Sequence, residues 1–232
     1  MESVYPNQVI TLFDGALKVL PKSHPERGFA FEAMFILDHP SFAKFRSAKP
    51  PLHMHHQAEY IQVLEGALVV EVEGKEHVLR PGDGELAVAP WAIHRLYTLP
   101  APAPGEPVSE DFNIVRFVAS AERTLEVFQM DLVFFENWYK YQDEVIRNKK
   151  QIDIIQAMCT FDAGGSYMTL PWWVPFRKAS SQILGIIVGR WIAGMLGYQP
   201  FYRKWSTDWA LADAKMRSSV FYRRFADSKK AA

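Results

Sequence analysis

The sequence contains almost no cysteine and no net charge. Cys159 is the only cysteine in 232 residues, so an internal disulfide is impossible and a thiolate zinc site is not expected. Lys and Arg number 26 and Asp and Glu also number 26, which gives no electrostatic reason to expect a nucleic-acid partner. The first residues also lack a basic segment followed by an apolar run. We therefore expect no secretory leader and predict a cytoplasmic location, with membrane association as a further option.

What the chain has in quantity is apolar residues, which make up 49% of it and are enough for a core. Its charges are unevenly distributed. Residues 1–120 hold 10 basic and 15 acidic residues, and the remainder holds 16 and 11. The last 62 residues, 171–232, hold 11 basic and 3 acidic residues, a net charge of plus 8, beside most of the tryptophans. The two halves therefore differ in chemistry as well as in pattern.

The first half has the pattern of an all-β domain. Short apolar runs with period-two alternation are separated by Gly and Pro, and Glu73-Gly74-Lys75 is typical of a tight hairpin turn. The pattern predicts strands at 8–12, 17–20, 28–37, 59–64, 67–72, 77–79, 85–89, 94–99 and 112–119. Even spacing of many short strands favours a closed barrel or sandwich over a parallel α/β sheet.

The second half has helical spacing. Apolar residues at three- and four-residue steps from Leu125 to Ile146 predict a long amphipathic helix. Further helices are predicted at 152–160 and 181–196, the latter with Ser180 as N-cap and Gly197 as C-cap. We therefore predict a mainly β fold in two parts, a β-barrel domain at 1–120 and a helical extension at 121–232 that packs on the barrel or in an oligomer interface.

A histidine and carboxylate cluster is the strongest functional signal. His53, His55 and Glu59 lie at even separations, and alternate side chains of an extended chain share a face. His94 begins a later strand just after a turn, where its side chain can join them. Imidazole and carboxylate groups are ligands of divalent transition metals. We predict that His53, His55, Glu59 and His94 hold one divalent ion, whereas His56 lies out of phase with them.

These residues resemble the two conserved motifs of the cupin superfamily, whose fold is a jelly-roll β-barrel. The first motif is matched by H-x-H-x3-E-x6-G, which ends at Gly66, and the second by Gly82-Asp83, Pro90 and His94. The chain departs from the motifs in three places. Ser47 stands in place of an opening Gly, Trp91 in place of the Gly before the histidine, and Thr98 in place of a closing Asn. None of the three is a ligand position.

The resemblance implies a monocupin with one ion of iron, manganese, nickel or zinc. Three histidines and one carboxylate leave coordination positions open, as in catalytic rather than structural sites. We predict a metal-dependent cupin oxidoreductase, such as a dioxygenase, in which Glu59 can also act as a general base. A redox-neutral isomerase, cyclase or lyase and a non-enzymatic ligand-binding module remain alternatives.

The substrate is predicted to be a hydrophobic small molecule. Alternation directs Ile61, Val63, Val70 and Val72 inward with the ligands, so the pocket is expected to be largely apolar. Arg95 and Arg116 are candidates for binding an anionic substrate, but alternation turns Arg95 away from His94.

The stretch 180–198 is apolar nearly all round, with Arg190 as its single charge. It could be a helix buried against the barrel or in a homodimer, which is the reading we take first, or a peripheral membrane contact formed by 171–205, or a transmembrane span. A span is disfavoured because about 16 helical residues cover roughly 24 Å, short of the ~30 Å hydrocarbon core, and because a central arginine is costly there.

Overall fold

A computed structural model describes Tyr5 and residues 8–42, 49–100 and 113–226. The chain contacts divide it into two compact units. One unit is Pro6–Arg123, and the other joins Met1–Tyr5 to Thr124–Ala232. We call the first the barrel unit and the second the helical unit.

The barrel unit consists of short antiparallel strands. They are β1 Ile10–Leu12, β2 Leu17–Lys22, β3 Arg27–Ile36, β4 His53–His55, β5 Glu59–Glu65, β6 Leu68–Val72, β7 Lys75–Leu79, β8 Glu85–Val88, β9 His94–Thr98 and β10 Ile114–Glu122. One sheet has the order β1-β2-β3-β10-β5-β8, and the second runs β4-β9-β6-β7 within this unit. Two facing antiparallel sheets with such crossovers form a jelly roll, so the predicted fold class is confirmed.

Alternation of side chains explains how the barrel unit encloses a core. In β5, Glu59, Ile61 and Val63 are buried, whereas Gln62 and Glu65 are exposed. The ring of Phe117 in β10 meets the edge of Phe35 in β3, with 5.4 Å between ring centroids. The inward faces of the larger sheet are therefore apolar except at Glu59, the one charged residue on the inner face of β5.

The predicted strands have counterparts with small shifts at their ends, because strand ends are set by pairing rather than by composition. The strand predicted at 112–119 is β10, which continues to Glu122 because it pairs with both β3 and β5. The short strand β4 had not been predicted as a separate element. The hairpin at Glu73 and Gly74 is present, and both residues have positive φ, 48° and 81°.

Apart from short 3-10 turns, the described part of the helical unit contains four helices and one short strand. They are α1 Leu132–Arg147, α2 Ile154–Ala163, β11 Ser166–Met168, α3 Arg177–Leu196 and α4 Trp209–Arg217. Residues Ile186–Ile192 of α3 have π-helical hydrogen bonding. Aspartates begin three of the helices, since Asp131, Asp153 and Asp208 accept hydrogen bonds from backbone N–H groups of the first turn.

Two helix starts differ from the sequence prediction by a full turn or more. The first helix begins at Leu132 rather than near Leu125, because the Asp131 side chain caps it; Leu125 and Phe128 precede the helix, and Leu125 is fully exposed. The third helix begins at Arg177 rather than at 181. Ser180 therefore lies inside it and is not its cap, whereas Gly197, with φ 101°, ends it as predicted.

Small and aromatic residues form the core of the helical unit. Val133, Cys159, Ala193, Phe201 and Tyr222 are buried together. Burial raises the pKa of the Cys159 thiol to about 12, so this thiol is protonated and a poor nucleophile.

Helix α3 presents most of its large side chains to the outside. Ile183, Leu184, Trp191 and Leu196 are exposed in the single chain. By length and composition alone, α3 is the one helix among the described residues that could cross a bilayer.

Candidate metal centre

Strand register brings two of the predicted ligands together. β4 pairs with β9, and His53 lies directly opposite His94. His94 is in turn the register partner of Val72 in β6. Directly paired residues project to the same face of a sheet, and alternation places His55 on that face with His53. The smaller sheet therefore supplies three imidazoles to the interior.

Glu59 reaches the same point from the other sheet. The sequence pattern predicted one extended segment from His53 to Glu59, but residues 56–58 are not in a strand, and the chain crosses from β4 to β5 there. Glu122 holds this crossing at the end of β10. Its side chain accepts a hydrogen bond from the Ala58 N–H at 2.9 Å, and its carbonyl accepts one from the Gln57 amide at 3.0 Å.

The four polar groups converge in a small volume. One ligand nitrogen from each of His53, His55 and His94 lies within 4.8 Å of the other two. The Nε2 atoms of His55 and His94 are 3.1 Å apart. Oε2 of Glu59 is 3.5 Å from Nε2 of His55 and 3.2 Å from Nε2 of His94. His55, Glu59 and His94 are all buried.

Backbone carbonyls set the tautomer of each imidazole. Nδ1 of His55 lies 2.7 Å from the carbonyl of Gln57, Nδ1 of His94 lies 2.8 Å from that of Ala92, and Nδ1 of His53 lies 3.3 Å from that of Pro51. A carbonyl oxygen can only accept, so Nδ1 must carry the hydrogen in each ring. When neutral, each ring then directs an unprotonated Nε2 to the centre, which is the arrangement typical of metal-binding histidines.

The centre therefore requires a positive charge. Three lone pairs and the Glu59 carboxylate face each other, and Oε2 of Glu59 is buried without a hydrogen-bond partner. Such atoms repel one another unless a proton on a ring nitrogen or a cation lies between them. Three neutral imidazoles and one carboxylate form a donor set that suits a divalent transition metal. The residues present fit the implied ion.

The electrostatic environment favours a positive charge at the centre. Burial opposes protonation of His94, but the neighbouring Glu59 carboxylate raises its pKa. Desolvation, together with the neighbouring His94 and His55, lowers the pKa of His53 to about 3, so its ring is neutral at physiological pH. Burial opposes ionisation of Glu59, but hydrogen bonding and positive charge from His55 and His94 hold the pKa of its carboxyl well below the usual range, as a bound cation would also do. Glu59 is therefore a carboxylate.

Two motif positions show how the backbone supports the site. Gly66, with φ 71°, turns the chain after β5, and a Cβ there would lie 2.2 Å from the carbonyl oxygen of Ile114. Trp91, where the cupin motif has Gly, has φ 62° and so adopts the left-handed conformation that glycine favours. Its N–H donates to the His55 carbonyl at 2.7 Å. Ser47, the third departure near the first motif, lies outside the described residues.

The surroundings of the centre are apolar on the two strands that flank it. Ile61, Val63 and Val70 are buried as predicted, and Val72 is partly buried. Arg95 pairs with Glu71 at 2.7 Å on the outer face, as alternation predicted. Arg116 is paired with Glu32 and Glu65 on the outer face of β10. Neither of the two candidate arginines is therefore available to an anionic substrate.

Sequence reasoning missed the groups that orient the ligands. The Pro51, Gln57 and Ala92 carbonyls lie within two residues of a ligand, but a backbone acceptor leaves no sequence signal. Glu122 also escaped notice, since it is 63 residues from Glu59 and only strand pairing brings it near. The sequence did show that Trp91 stands where the cupin motif has Gly. The structure adds that this position has a positive φ, which explains why the motif has glycine there.

Comparison with known proteins agrees with this geometry. The sequence profile of the cupin domain matches residues 46–99. A protein of Aspergillus niger named probable oxidoreductase yanE is 42% identical over 94% of this chain and 84% of its own length. Oxidoreductase OpS7 of Beauveria bassiana is 38% identical over 93% of this chain and 76% of its own length. Epoxidase atD of Aspergillus terreus is 39% identical over 75% of this chain and 52% of its own length.

The likeness to solved structures extends over part of the chain. An RmlC-like cupin from Shewanella frigidimarina has 20% identity and a TM-score of 0.35, and covers 53% of this chain and 88% of its own. The family is decided by the oxidoreductases, whose sequences are more similar to this chain and match more of it. The chain therefore contains a cupin domain and belongs to the same family as these fungal oxidoreductases.

Proposed function

We propose that the protein is a metal-dependent oxidoreductase that acts on a hydrophobic small molecule. His53, His55, Glu59 and His94 are the proposed ligands of one divalent ion. The observation that carries the proposal is the convergence of three Nε2 lone pairs and a buried carboxylate oxygen that has no hydrogen-bond partner. An arrangement of this kind is stable only around a positive charge.

The names of the relatives support an oxidation or reduction as the class of reaction, without indicating which reaction it is. Two of the three relatives described above carry the word oxidoreductase in their names, and the third is named an epoxidase. Within this class we propose oxygen-dependent chemistry such as dioxygenation. When bound, a redox-active ion such as iron or manganese would supply open coordination positions and electron transfer.

The barrel unit's own residues would bind the substrate by apolar contact. Ile61, Val63 and Val70 lie on the face that carries the ligands and exclude water from it. Arg95 and Arg116 are paired with carboxylates elsewhere, so a neutral substrate fits better than a phosphate ester. We infer an aromatic or polyketide-like molecule.

Glu59 can also hold a proton. Its carboxylate is ionised and its Oε2 atom accepts no hydrogen bond. A substrate hydroxyl that reaches this oxygen could donate its proton there, which is the general-base role predicted for Glu59 from the sequence.

Two measurements test the proposal: elemental analysis for the metal and an oxygen electrode for turnover. We expect about one divalent ion per chain, and we expect oxygen uptake with small phenols that is lost on chelation and restored by one metal. A metal-loaded protein that converts a substrate without oxygen uptake would support a redox-neutral isomerase, cyclase or lyase instead. Ligand binding without turnover in the loaded protein would indicate a binding module.

A further inference from the structure

The exposed surface of the helical unit has an unusual composition. Three aromatic side chains precede α3 and point outward: Trp172, Trp173 and Phe176 are 84%, 68% and 87% exposed. Along the helix, Ile183, Leu184, Trp191, Met195 and Leu196 are exposed as well. We call these eight residues the aromatic surface. Soluble proteins rarely leave so many large apolar side chains in contact with water.

Helix α3 is inverted relative to the amphipathic helix of a soluble protein. Its inward side consists of small residues: Ser181, Gly185, Gly189 and Ala193 are buried. A Cβ on Gly189 would lie 2.3 Å from the carbonyl oxygen of Met158, so α3 packs against α2 at backbone distance. Large apolar residues therefore face out and small ones face in, whereas a helix in water does the opposite.

The charge inside α3 follows the same inversion. Arg190 is the only charged residue between 179 and 196, and it turns toward the interior of the unit. There it donates two hydrogen bonds to the buried carboxylate of Asp162, at 2.7 and 2.9 Å. The outward side of the helix is thus free of charge along this stretch.

The electrostatics of the segment select one partner. No acidic residue occurs between Gly164 and Thr207, whereas five residues there are basic: Arg177, Lys178, Arg190, Arg203 and Lys204. Arg190 is paired with Asp162 and Lys204 with Glu144, which leaves Arg177, Lys178 and Arg203 as the charges of the segment that make no ion pair with these two acids. Lys178 lies exposed beside the aromatic surface. Tryptophan and phenylalanine next to lysine and arginine match the interface of a bilayer with anionic headgroups. A two-fold contact with a second copy would instead gather the basic residues of both chains around one apolar contact, with no acidic residue of this segment to pair with them.

We propose that the aromatic surface docks the protein on a membrane that contains anionic phospholipid, with α3 lying in the plane of the interface. Packing argues for this orientation rather than for a span. The inward side of α3 contacts Tyr167, Met158 and Phe221 of its own unit, so lipid can reach one side of the helix only. This inference is independent of the metal centre and of the reaction proposed for it.

Vesicle flotation of the full chain tests the proposal. The vesicles contain phosphatidylcholine alone or with about one third phosphatidylserine, at low and high salt. We expect binding to the anionic vesicles that weakens at high salt, because the headgroup attraction is screened. Quenching of tryptophan fluorescence by brominated lipid would report insertion of Trp172, Trp173 and Trp191.

Substitutions on the aromatic surface identify the docking residues. Trp172→Ala with Trp173→Ala is expected to weaken binding by about tenfold or more, since both side chains are exposed and only the lipid contact is lost. Lys178→Gln is expected to weaken binding to anionic vesicles by about fivefold. The control is Val9→Ala with Val78→Ala, which alters two exposed residues of the barrel unit and should leave binding unchanged.

Three results would overturn the proposal. The first is the absence of binding to any vesicle, and the second is binding that the tryptophan substitutions do not change. The third is a dimer in sedimentation analysis that these substitutions dissociate while no lipid is bound, which would assign the surface to a second copy. Circular dichroism of each variant confirms that a loss of binding is not a loss of fold.

Discussion

The two units place polar and apolar groups in opposite ways. The barrel unit buries a carboxylate and three imidazole rings among valines and isoleucines. The helical unit leaves tryptophan, phenylalanine and leucine exposed and packs its third helix through small residues. Each arrangement costs stability, because buried polar groups lose hydration and exposed apolar groups order water. Both costs fall at places where the protein is expected to meet something else, a metal ion in one unit and a lipid surface in the other.

The comparison also shows two ways to stabilise a buried charge. In the barrel unit the charge of Glu59 faces three imidazole rings, and its partner would be a cation from outside the chain. In the helical unit the charge of Asp162 is met by Arg190 of the same chain. The site at Glu59 can therefore accept a metal ion, whereas the charge of Asp162 is already neutralised by Arg190.

The largest effect is expected from removing a ligand. His94→Ala should lower the affinity for the metal by about 100-fold or more and abolish turnover, because loss of an outer-shell partner alone costs 10- to 100-fold. Metal content after dialysis against a weak chelator measures this. His56→Ala is the matched control, since His56 adjoins His55 but is not part of the cluster, and it should keep full metal content. Equal metal loss in both variants would refute the ligand assignment.

Breaking the ion pair between Arg190 and Asp162 should give the second largest effect, a loss of folding stability. Arg190→Met leaves the Asp162 carboxylate buried without its partner, which is expected to destabilise the helical unit by about 3–5 kcal/mol. Urea unfolding followed by tryptophan fluorescence reports this unit, since six of the seven tryptophans lie in it. Adding Asp162→Asn to Arg190→Met should recover most of the loss.

The same variant has a defined pH dependence. Burial raises the pKa of Asp162 to about 6, and the Arg190 guanidinium opposes this rise. A carboxyl whose folded-state pKa lies above its unfolded value adds stability at low pH and loses it as pH rises. Without Arg190 the pKa rises further, so the deficit of Arg190→Met relative to the unaltered protein should be larger at pH 7.5 than at pH 5. An equal deficit at both values would mean that Asp162 is not the cause.

The turn after β5 gives a smaller effect in the barrel unit. Gly66→Ala should destabilise it by more than about 2 kcal/mol, because the new Cβ would collide with the Ile114 carbonyl and φ is positive. Gly74→Ala has a similar φ of 81° with no atom within 4 Å of the Cβ, and should cost about 1 kcal/mol. Thermal unfolding followed by far-ultraviolet circular dichroism compares the two. Equal shifts would show that the close approach at Gly66 can relax.

The smallest effect is expected at Trp91. Trp91→Ala removes the ring and keeps the left-handed strain, whereas Trp91→Gly removes both, so the glycine variant should be more stable by about 1 kcal/mol. Both should keep the metal, since the N–H that bonds the His55 carbonyl is retained. An alanine variant as stable as the glycine variant would show that the backbone at this position is unstrained.

Most of the barrel unit and its cluster could be predicted, because alternating apolar and polar residues identify strands in a sequence. The positions of His53, His55 and His94 followed from period two and from one intervening turn. The route of Glu59 could not be predicted, because the chain leaves one sheet and joins the other within residues 56–58. The cupin motifs were correct about which residues meet, and only the structure showed how they do so.

The helical unit was predicted less well, since helix starts depend on caps and α3 depends on its neighbours. Asp131 moved the start of α1 seven residues beyond Leu125, and α3 gained a turn before Ser181. The apolar character of 180–198 was plain from the sequence, but which side of the helix packs inward was not.

By itself the sequence determined the strands, the four polar residues of the cluster and the excess of basic and aromatic residues near the end, since these depend on local pattern and composition. The tertiary structure decided the tautomers of the histidines, the isolation of the Glu59 oxygen and the outward orientation of the aromatic surface. These depend on which backbone carbonyl or neighbouring helix lies within a few ångströms, and no local pattern specifies that.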